Sequence, residues 1–314
     1  MKPVNPDATV NARKLLKFLS ETGGKGIITG QHTQTQAMEE IEEIRKITGK
    51  EPALRGFELL SYSPNIRYET GDEHCRREID ENFGTLEQAL AFGKSGGIVT
   101  LTWHWFSPLG GYDKSFYSEK TEFDPEKVLT ENTEERQAFF HDLDVMAECL
   151  MPFLKDDIPV LWRPFHESEG GWFWWGRKGP AVAAQLYRLQ YDYFVNKYHL
   201  DNLLWVWNCP LKEGYPGDDV VDVLSRDLYA EKGTKTDYRR EYEELVSVTS
   251  AKKPAALAEI GILPDIGMLE KSRVPWCYYM VWSMNFVLTE EFNTHEALCS
   301  IYESSYTYKY PLLY

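Results

Sequence analysis

Two glutamates stand where apolar runs end. Glu259 closes Ala255-Ala256-Leu257-Ala258, and Glu167 follows Leu161-Trp162-Arg163-Pro164-Phe165-His166. Most of the 49 acidic residues must lie at the surface, but these two emerge from segments with the composition of interior strands. Two carboxyl groups that converge on one site can divide the cleavage of a glycosidic bond between them. One protonates the glycosidic oxygen while the other attacks the anomeric carbon from the opposite face, at a separation of about 5–5.5 Å in a retaining reaction. Groups that a sugar would need lie nearby. Trp172, Trp207 and Trp282 offer flat platforms for the apolar faces of pyranose rings. His104, Arg163, His166, Asn208 and Tyr229 offer donors and acceptors for hydroxyls. Taken singly, each Trp reads as core, while His104 and His166 at strand ends read less as structural histidines than as site residues; their coincidence with the two acids points to a carbohydrate cleft.

The elements that must position these residues follow from the apolar pattern. Short β-branched or apolar runs at 26–29, 53–60, 98–103, 159–163, 203–207, 221–224, 255–259 and 276–281 read as strands. Helix-period segments at 8–20, 38–48, 86–94, 134–154, 181–197, 238–249 and 294–302 lie between or beside them, several closed by Gly or followed by Pro. Eight strand–helix units with no Pro/Gly/Ser linker predict an α/β protein of the (β/α)8 TIM-barrel class, with residues 1–314 as one catalytic domain. In such a barrel chemistry sits at the C-terminal ends of strands, and Glu167 and Glu259 then follow the fourth and seventh, which face each other across the mouth. The segment 106–133 fits a loop rather than core, and Trp172-Phe173-Trp174-Trp175 forms an aromatic cluster beyond the fourth strand.

Composition excludes much else. A chain of 314 residues can bury a sizeable core without staples. Its net charge of −15 repels phosphate backbones and anionic lipid, so neither nucleic acid nor membrane is an expected partner. Ten Trp, nineteen Tyr and fifteen Phe exceed what a core needs and suit a binding surface. Cys75, Cys149, Cys209, Cys277 and Cys299 include no C-x-x-C pair, which argues against a disulfide framework and a structural zinc. Gly93-Lys94-Ser95-Gly96-Gly97 matches G-x-S-x-G, but a helix precedes it and a strand follows, the reverse of a nucleophile elbow. His166-Glu167 lacks the second His of a metalloprotease helix, and no phosphate-binding loop occurs, so neither metal nor other cofactor is expected. The first twenty residues contain no apolar stretch of the signal-peptide kind and no run could span a bilayer. With no N-x-S/T sequon either, a secreted and a cytoplasmic location both fit, and nothing calls for a second protein chain, so a monomer is expected.

The same residues carry a resemblance. Arg163-Pro164-Phe165-His166-Glu167 followed by Gly171-Trp172-Phe173-Trp174-Trp175-Gly176 resembles the acid/base motif of glycoside hydrolase family 26, best known for β-mannanases. Ala258-Glu259-Ile260-Gly261 resembles that family's nucleophile motif. Gly30-Gln31-His32, Trp103-His104-Trp105, Tyr215-Pro216-Gly217-Asp218-Asp219 with Asp227-Leu228-Tyr229, and Met280-Val281-Trp282 fall in family order, over about residues 26–285. The resemblance implies a retaining endo-β-1,4-mannanase acting without cofactor on mannan, glucomannan or galactomannan, as polysaccharide or oligosaccharide. Glu167 would be acid/base and Glu259 nucleophile. His104, His166, Trp172 and Trp282 would surround the sugar next to the scissile bond, and Tyr229 would hold the nucleophile; Trp207 is a weaker match, and Arg163 is, on physical grounds alone, a further donor for Glu259. Two departures bear on how more distant sugars are held and on endo or exo mode: Ser283, where relatives often carry Arg after the last-strand Trp, and Ser168-Glu169, where Asn or Asp is frequent. Action on β-1,3-xylan or mixed-linkage β-glucan, or a non-catalytic carbohydrate-binding barrel, are the alternatives.

Overall fold

The computed structural model describes residues 1–34, 36–110 and 112–312. Its strands are β1 (Ile27–Ile28), β2 (Gly30–Thr33), β3 (Glu51–Pro52), β4 (Leu54–Glu58), β5 (Ile98–Thr102), β6 (Val160–Arg163), β7 (Leu203–Asn208), β8 (Val223–Leu228), β9 (Ala255–Ile260), β10 (Trp276–Val281) and β11 (Thr307–Tyr310). Helices α1 (Val10–Thr22), α2 (Glu39–Thr48), α3 (Glu73–Asn82), α4 (Thr85–Lys94), α5 (Glu134–Lys155), α6 (Pro180–Asn196), α7 (Arg239–Val246), α8 (Ile266–Ser272) and α9 (His295–Glu303) lie around them. Strands β2, β4, β5, β6, β7, β8, β9 and β10 pair in that order, all parallel, and β10 closes the ring on β2 through Val281 and Gln31. This is the (β/α)8 barrel. At the closing seam, a Cβ at Gly30 would collide with the carbonyl oxygen of Tyr279, so only glycine lets the two strands meet.

Both faces of each strand are buried, which explains why the strands read as near-continuous apolar runs. Successive side chains alternate between the barrel axis and the helix layer. Ile28, Leu54, Ile98, Leu161, Leu204, Val206, Val223, Ala256, Ala258, Tyr278 and Met280 fill the interior. Outward-facing Trp162, Trp205, Trp207, Leu257, Trp276 and Tyr279 pack with the helices. Leu15, Leu16 and Leu19 of α1 join the interior cluster. The helix is held there by hydrogen bonds to the turns that enter β6, β7 and β8: Asn11 Nδ2 donates to the Asp157 carbonyl (3.0 Å), Thr9 N to the Asp201 carbonyl (2.9 Å), and Val4 N to Asp222 Oδ1 (2.8 Å). So α1 plugs the end of the barrel opposite the strands' C-termini.

Several elements depart from the sequence reading for physical reasons. The sixth barrel strand runs on to Leu228, past the expected end at 224, because polar Ser225 and Asp227 face a polar barrel mouth and not solvent. Helix α3 escapes an apolar-period search since it buries little beyond Cys75 and Ile79; it begins at Asp72, whose side chain accepts from Cys75 N (2.7 Å). Strands β3 and β11 lie outside the ring: β11 runs parallel to β1 and antiparallel to β3. The segment 106–133 is irregular, yet it is partly core, with Phe106, Phe116, Phe123 and Val128 buried. The five cysteines are free thiols. Among the described residues no helix is long and apolar enough to cross a membrane.

If α1 seals the barrel as this packing requires, Leu16→Ala will cost about 2–5 kcal/mol, the range for a fully buried leucine whose site cannot collapse. Urea unfolding followed by far-UV circular dichroism checks it, and a loss well below 1 kcal/mol would contradict the plug.

Candidate active site

Strand β6 delivers Arg163, and the chain then turns sharply, with Phe165 and Glu167 both at φ 53°. Left-handed backbone at two non-glycine residues is costly and persists only where the surroundings enforce it. Here Phe165 is buried between Trp105, Trp174 and Trp175. Trp175 Nε1 donates to the His166 carbonyl (2.8 Å), and Glu167 N donates to Asn208 Oδ1 at the end of β7 (2.8 Å). The turn projects the Glu167 carboxyl into the mouth, where Trp172 Nε1 donates to its Oε2 (2.8 Å).

Glu259 arrives from β9 through a break in register. Arg226 of β8 pairs with Leu257, but Asp227 pairs with Glu259, so β9 carries one extra residue, Ala258, between the pairs. The bulge sets Asp227 and Glu259 side by side. The fully buried Arg163 guanidinium bridges them, donating to Asp227 Oδ2 (2.6 Å), Glu259 Oε2 (2.8 Å) and Thr102 Oγ1 (3.1 Å). Tyr229 Oη donates to Glu259 Oε1 (2.5 Å), so both nucleophile-candidate oxygens carry a donor. Asn208 Nδ2 donates to Asp227 Oδ1 (2.8 Å). One oxygen from each of Glu167, Asp227 and Glu259 lies within 4.8 Å of the other two.

Three carboxyls around one guanidinium cannot all ionise cheaply. Burial, and then the charge of Glu259, push the Glu167 carboxyl up to about 7. Burial also raises Asp227 above its ordinary range against the pull of Arg163. Burial would lower Arg163, but Asp227 and Glu259 outweigh it and keep the guanidinium charged. Burial and the neighbouring Glu259 raise the Tyr229 phenol, which keeps its proton as a donor.

A second network lines the wall between β4 and β6. The wholly buried Glu58, last residue of β4, accepts from His104 N (2.8 Å) and pairs with His104 Nδ1 (2.7 Å). Burial opposes the His104 cation, but Glu58 wins and raises it. His166 sits with its Nε2 3.3 Å from His104 Nε2, and burial, then Arg163 and His104, hold it well below the usual range. The two rings thus share one contact while their environments push them in opposite directions, His104 toward the cation and His166 toward the neutral ring. On the adjoining strand β2 His32, also kept neutral by burial, stacks on Trp282 at 4.1 Å and 24°, and His104 meets the same ring edge-on at 6.2 Å. Gln31 Nε2 donates to the carbonyls of Val281 and Trp282 and pins that ring's backbone.

Of the residues picked out from sequence, Glu167, Glu259, His104, Arg163, His166, Trp172, Tyr229 and Trp282 come together at the mouth. Trp172 keeps 48% of its surface exposed, and the remaining aromatics of its cluster are buried beneath it. Trp207 does not join them. It is 0% exposed and packs edge-on to Tyr187 of α6 (5.0 Å, 79°), on the helix side of β7, so it has no ring face to offer a sugar. Glu58 is a further member of the site that the motifs do not point to; its signal is a carboxylate inside an apolar run. Ser283 is buried, and Asp218 and Asp219 bond Tyr215 and Arg188 before β8 begins, away from the mouth.

Residues 4–310 match the model of glycosyl hydrolase family 26. The chain is 38% identical over 310 residues to a mannan endo-1,4-β-mannosidase of Thermothelomyces thermophilus, covering 96% of this chain and 61% of that protein. It is 33% identical over 303 residues to mannan endo-1,4-β-mannosidase A of a Piromyces species, covering 94% and 48%. The chain thus spans roughly half to three-fifths of the length of these curated relatives. Among solved structures it superposes on a Podospora anserina GH26-CBM35 β-(1,4)-mannanase with a TM-score of 0.88 at 37% identity, over 98% of this chain and 68% of that one. A β-mannanase from a symbiotic protist of the termite Reticulitermes speratus, complexed with gluco-manno-oligosaccharide, gives 0.86 at 30% identity, over 98% and 96%. By the matched family model and these identities, the chain belongs to glycosyl hydrolase family 26.

Proposed function

We propose that this chain is a retaining endo-β-1,4-mannanase, a single catalytic unit in which Glu167 is the acid/base and Glu259 the nucleophile. The observation that carries the reading is the approach of the two carboxyls: one oxygen of each lies within 4.8 Å of the other, which supports the about 5–5.5 Å spacing of a retaining pair over the ~6.5–9.5 Å of an inverting one. The β-1,4-mannan substrate is supported by the names of the relatives, mannan endo-1,4-β-mannosidases and β-mannanases.

In the first step a Glu259 oxygen attacks the anomeric carbon, the bond from that carbon to the glycosidic oxygen breaks, and the Glu167 proton passes to the departing oxygen. Esterification removes the Glu259 charge, one of the causes that raise Glu167, so the acid becomes a better-ionised base for the second step. Glu167 then takes a proton from water as that water attacks the anomeric carbon and frees Glu259. Arg163 and Tyr229 hold Glu259 between attack and release, and Trp172 and Trp282 flank the sugars.

Reducing-sugar release from glucomannan, galactomannan, β-1,3-xylan and mixed-linkage β-glucan tests the reading. The expected result is release from the mannans by the wild type and loss to background in Glu259→Ala. Cleavage of another glycan would replace the substrate, and silence on all four would return the chain to a binding role. Glu167→Ala should lose about 10²–10⁴-fold on mannan yet keep most of its first-step rate on aryl mannosides with good leaving groups; equal loss on both would remove the acid role. Since Glu167 must enter protonated, kcat/KM should fall as pH rises through about 7. The Trp172 hydrogen bond favours the carboxylate, so Trp172→Phe should move that alkaline limb to higher pH. A limb that stays or moves down would refute the link.

A further inference from the structure

Helix α5 turns an apolar face to the core, with Phe139, Leu143, Met146 and Leu150 buried along it, and one carboxylic acid interrupts that face. The acid is Asp142. It has no exposed surface and, among the described residues, pairs with no cation. Burial pushes its carboxyl up to about 7, against the pull of two neutral donors, Trp105 and Asn65. Taking a carboxyl out of water with no cation to meet it costs folding energy that an apolar side chain would not. What it supplies is geometry. Trp105 Nε1 donates to Asp142 Oδ2 (2.7 Å), and Asn65 Nδ2, from the segment between β4 and α3, donates to both oxygens (2.9 Å each). The carboxyl ties an outer helix to the loops that follow β4 and β5.

Trp105 is the floor beneath the turn that carries Glu167. Phe165, held at φ 53° two residues before Glu167, sits in a socket of four rings: Trp105 at 6.2 Å, Phe139 and Trp174 at 6.4 Å, and Trp175 at 6.5 Å. Phe139 lies one turn before Asp142 on the same face of α5 and packs on Trp105 at 5.1 Å. Trp174 Nε1 donates to the Trp105 carbonyl (2.7 Å), so the ring that Asp142 holds supports a second wall of the socket. The rest of the mouth is anchored elsewhere. His104, although next to Trp105 in sequence, is fixed by Glu58 through both its N and its Nδ1, and Glu259 takes its donors from Arg163 and Tyr229. Loss of the Asp142 bonds therefore reaches the Glu167 turn and leaves His104 and Glu259 in place.

We infer that Asp142 is a positioning residue for the proton donor: by locking Trp105 it enforces the left-handed turn at Phe165 and Glu167 and so aims the Glu167 carboxyl at the leaving oxygen. The inference rests on the mannanase reading and adds to it a residue of an outer helix that touches neither substrate nor reacting atoms. Its effect falls on the step that needs a proton from Glu167.

The test uses phenyl and 2,4-dinitrophenyl β-mannobioside, which share their sugars and differ in the leaving group: phenolate departs with the help of a proton, dinitrophenolate without it. In Asp142→Asn, which keeps the shape and loses an acceptor, kcat/KM for the phenyl glycoside should fall at least about tenfold and that for the dinitrophenyl glycoside less than about twofold, since a displacement of about 1 Å can cost about 10²-fold. A lower melting temperature with the ratio of the two substrates unchanged, or equal loss on both, overturns the positioning role. Trp105→Phe, which removes the indole donor and keeps a ring, must give the same selective loss, and it replaces Asp142→Asn should that variant fail to fold. Glu167→Ala is run alongside. A wild type inactive on both glycosides, or a Glu167→Ala variant without selective loss, sinks the mannanase assignment and this inference with it. Selective loss in Glu167→Ala but not in Asp142→Asn sinks the inference alone.

Discussion

A guanidinium with no exposed surface must be neutralised where it stands, and Arg163 meets this demand by holding Asp227 and Glu259 at once. A buried ion pair is no great source of net stability, but removing one partner leaves an uncompensated charge, a loss of about 3–5 kcal/mol. The neighbouring structure is built to keep the partners in place. The bulge in β9 brings Glu259 level with Asp227, Thr102 takes a further guanidinium hydrogen, and Asn208 occupies the far oxygen of Asp227. Asn208 also receives Glu167 N, so the position of the second glutamate is coupled to the same charge cluster. Strands β5 to β9 therefore share one electrostatic constraint at their upper ends.

That constraint separates two side chains of identical chemistry. Glu259 has a donor on each oxygen, one from Arg163 and one from Tyr229. Glu167 has a single neutral donor, and burial together with its neighbour's negative charge pushes its carboxyl up to about 7. The histidines repeat the division. His104 is tied to a buried carboxylate and takes up charge, while His166, deeper and nearer Arg163, stays neutral. Charge across the mouth is thus set by which carboxylate each group can reach and by its depth.

The barrel was legible because both faces of its strands are apolar, and the eight runs stand out from helical periods. The acids were legible because each ended such a run. What escaped reading was mostly parity. Residues 207 and 208 must point to opposite faces of β7. Asn208 faces the mouth, so Trp207 had to face α6, and treating both as cleft residues broke the period of two. Glu58 faces the mouth from within an apolar run, and Asp227, legible as part of a motif after the sixth strand, belongs to the strand itself. The left-handed turn at Phe165 and Glu167 and the extra residue in β9 had no local signature, since tertiary contacts with Asn208, Trp175 and Asp227 impose both.

The first barrel strand is split at Thr29, whose N–H and hydroxyl both bond the carbonyl of Tyr308 in β11, 279 residues away. Contacts so distant along a chain are slow to form, because loop entropy must be met before they contribute. During synthesis at ~5–20 residues per second, Thr29 waits roughly 15–60 s for Tyr308 to be made. Throughout that interval the β1 edge lacks its partner, and β10, the other neighbour of Ile28, is nearly as late. Ring closure is therefore a terminal event in biogenesis, and an unfinished barrel depends on shielding of its open edge until these last strands arrive.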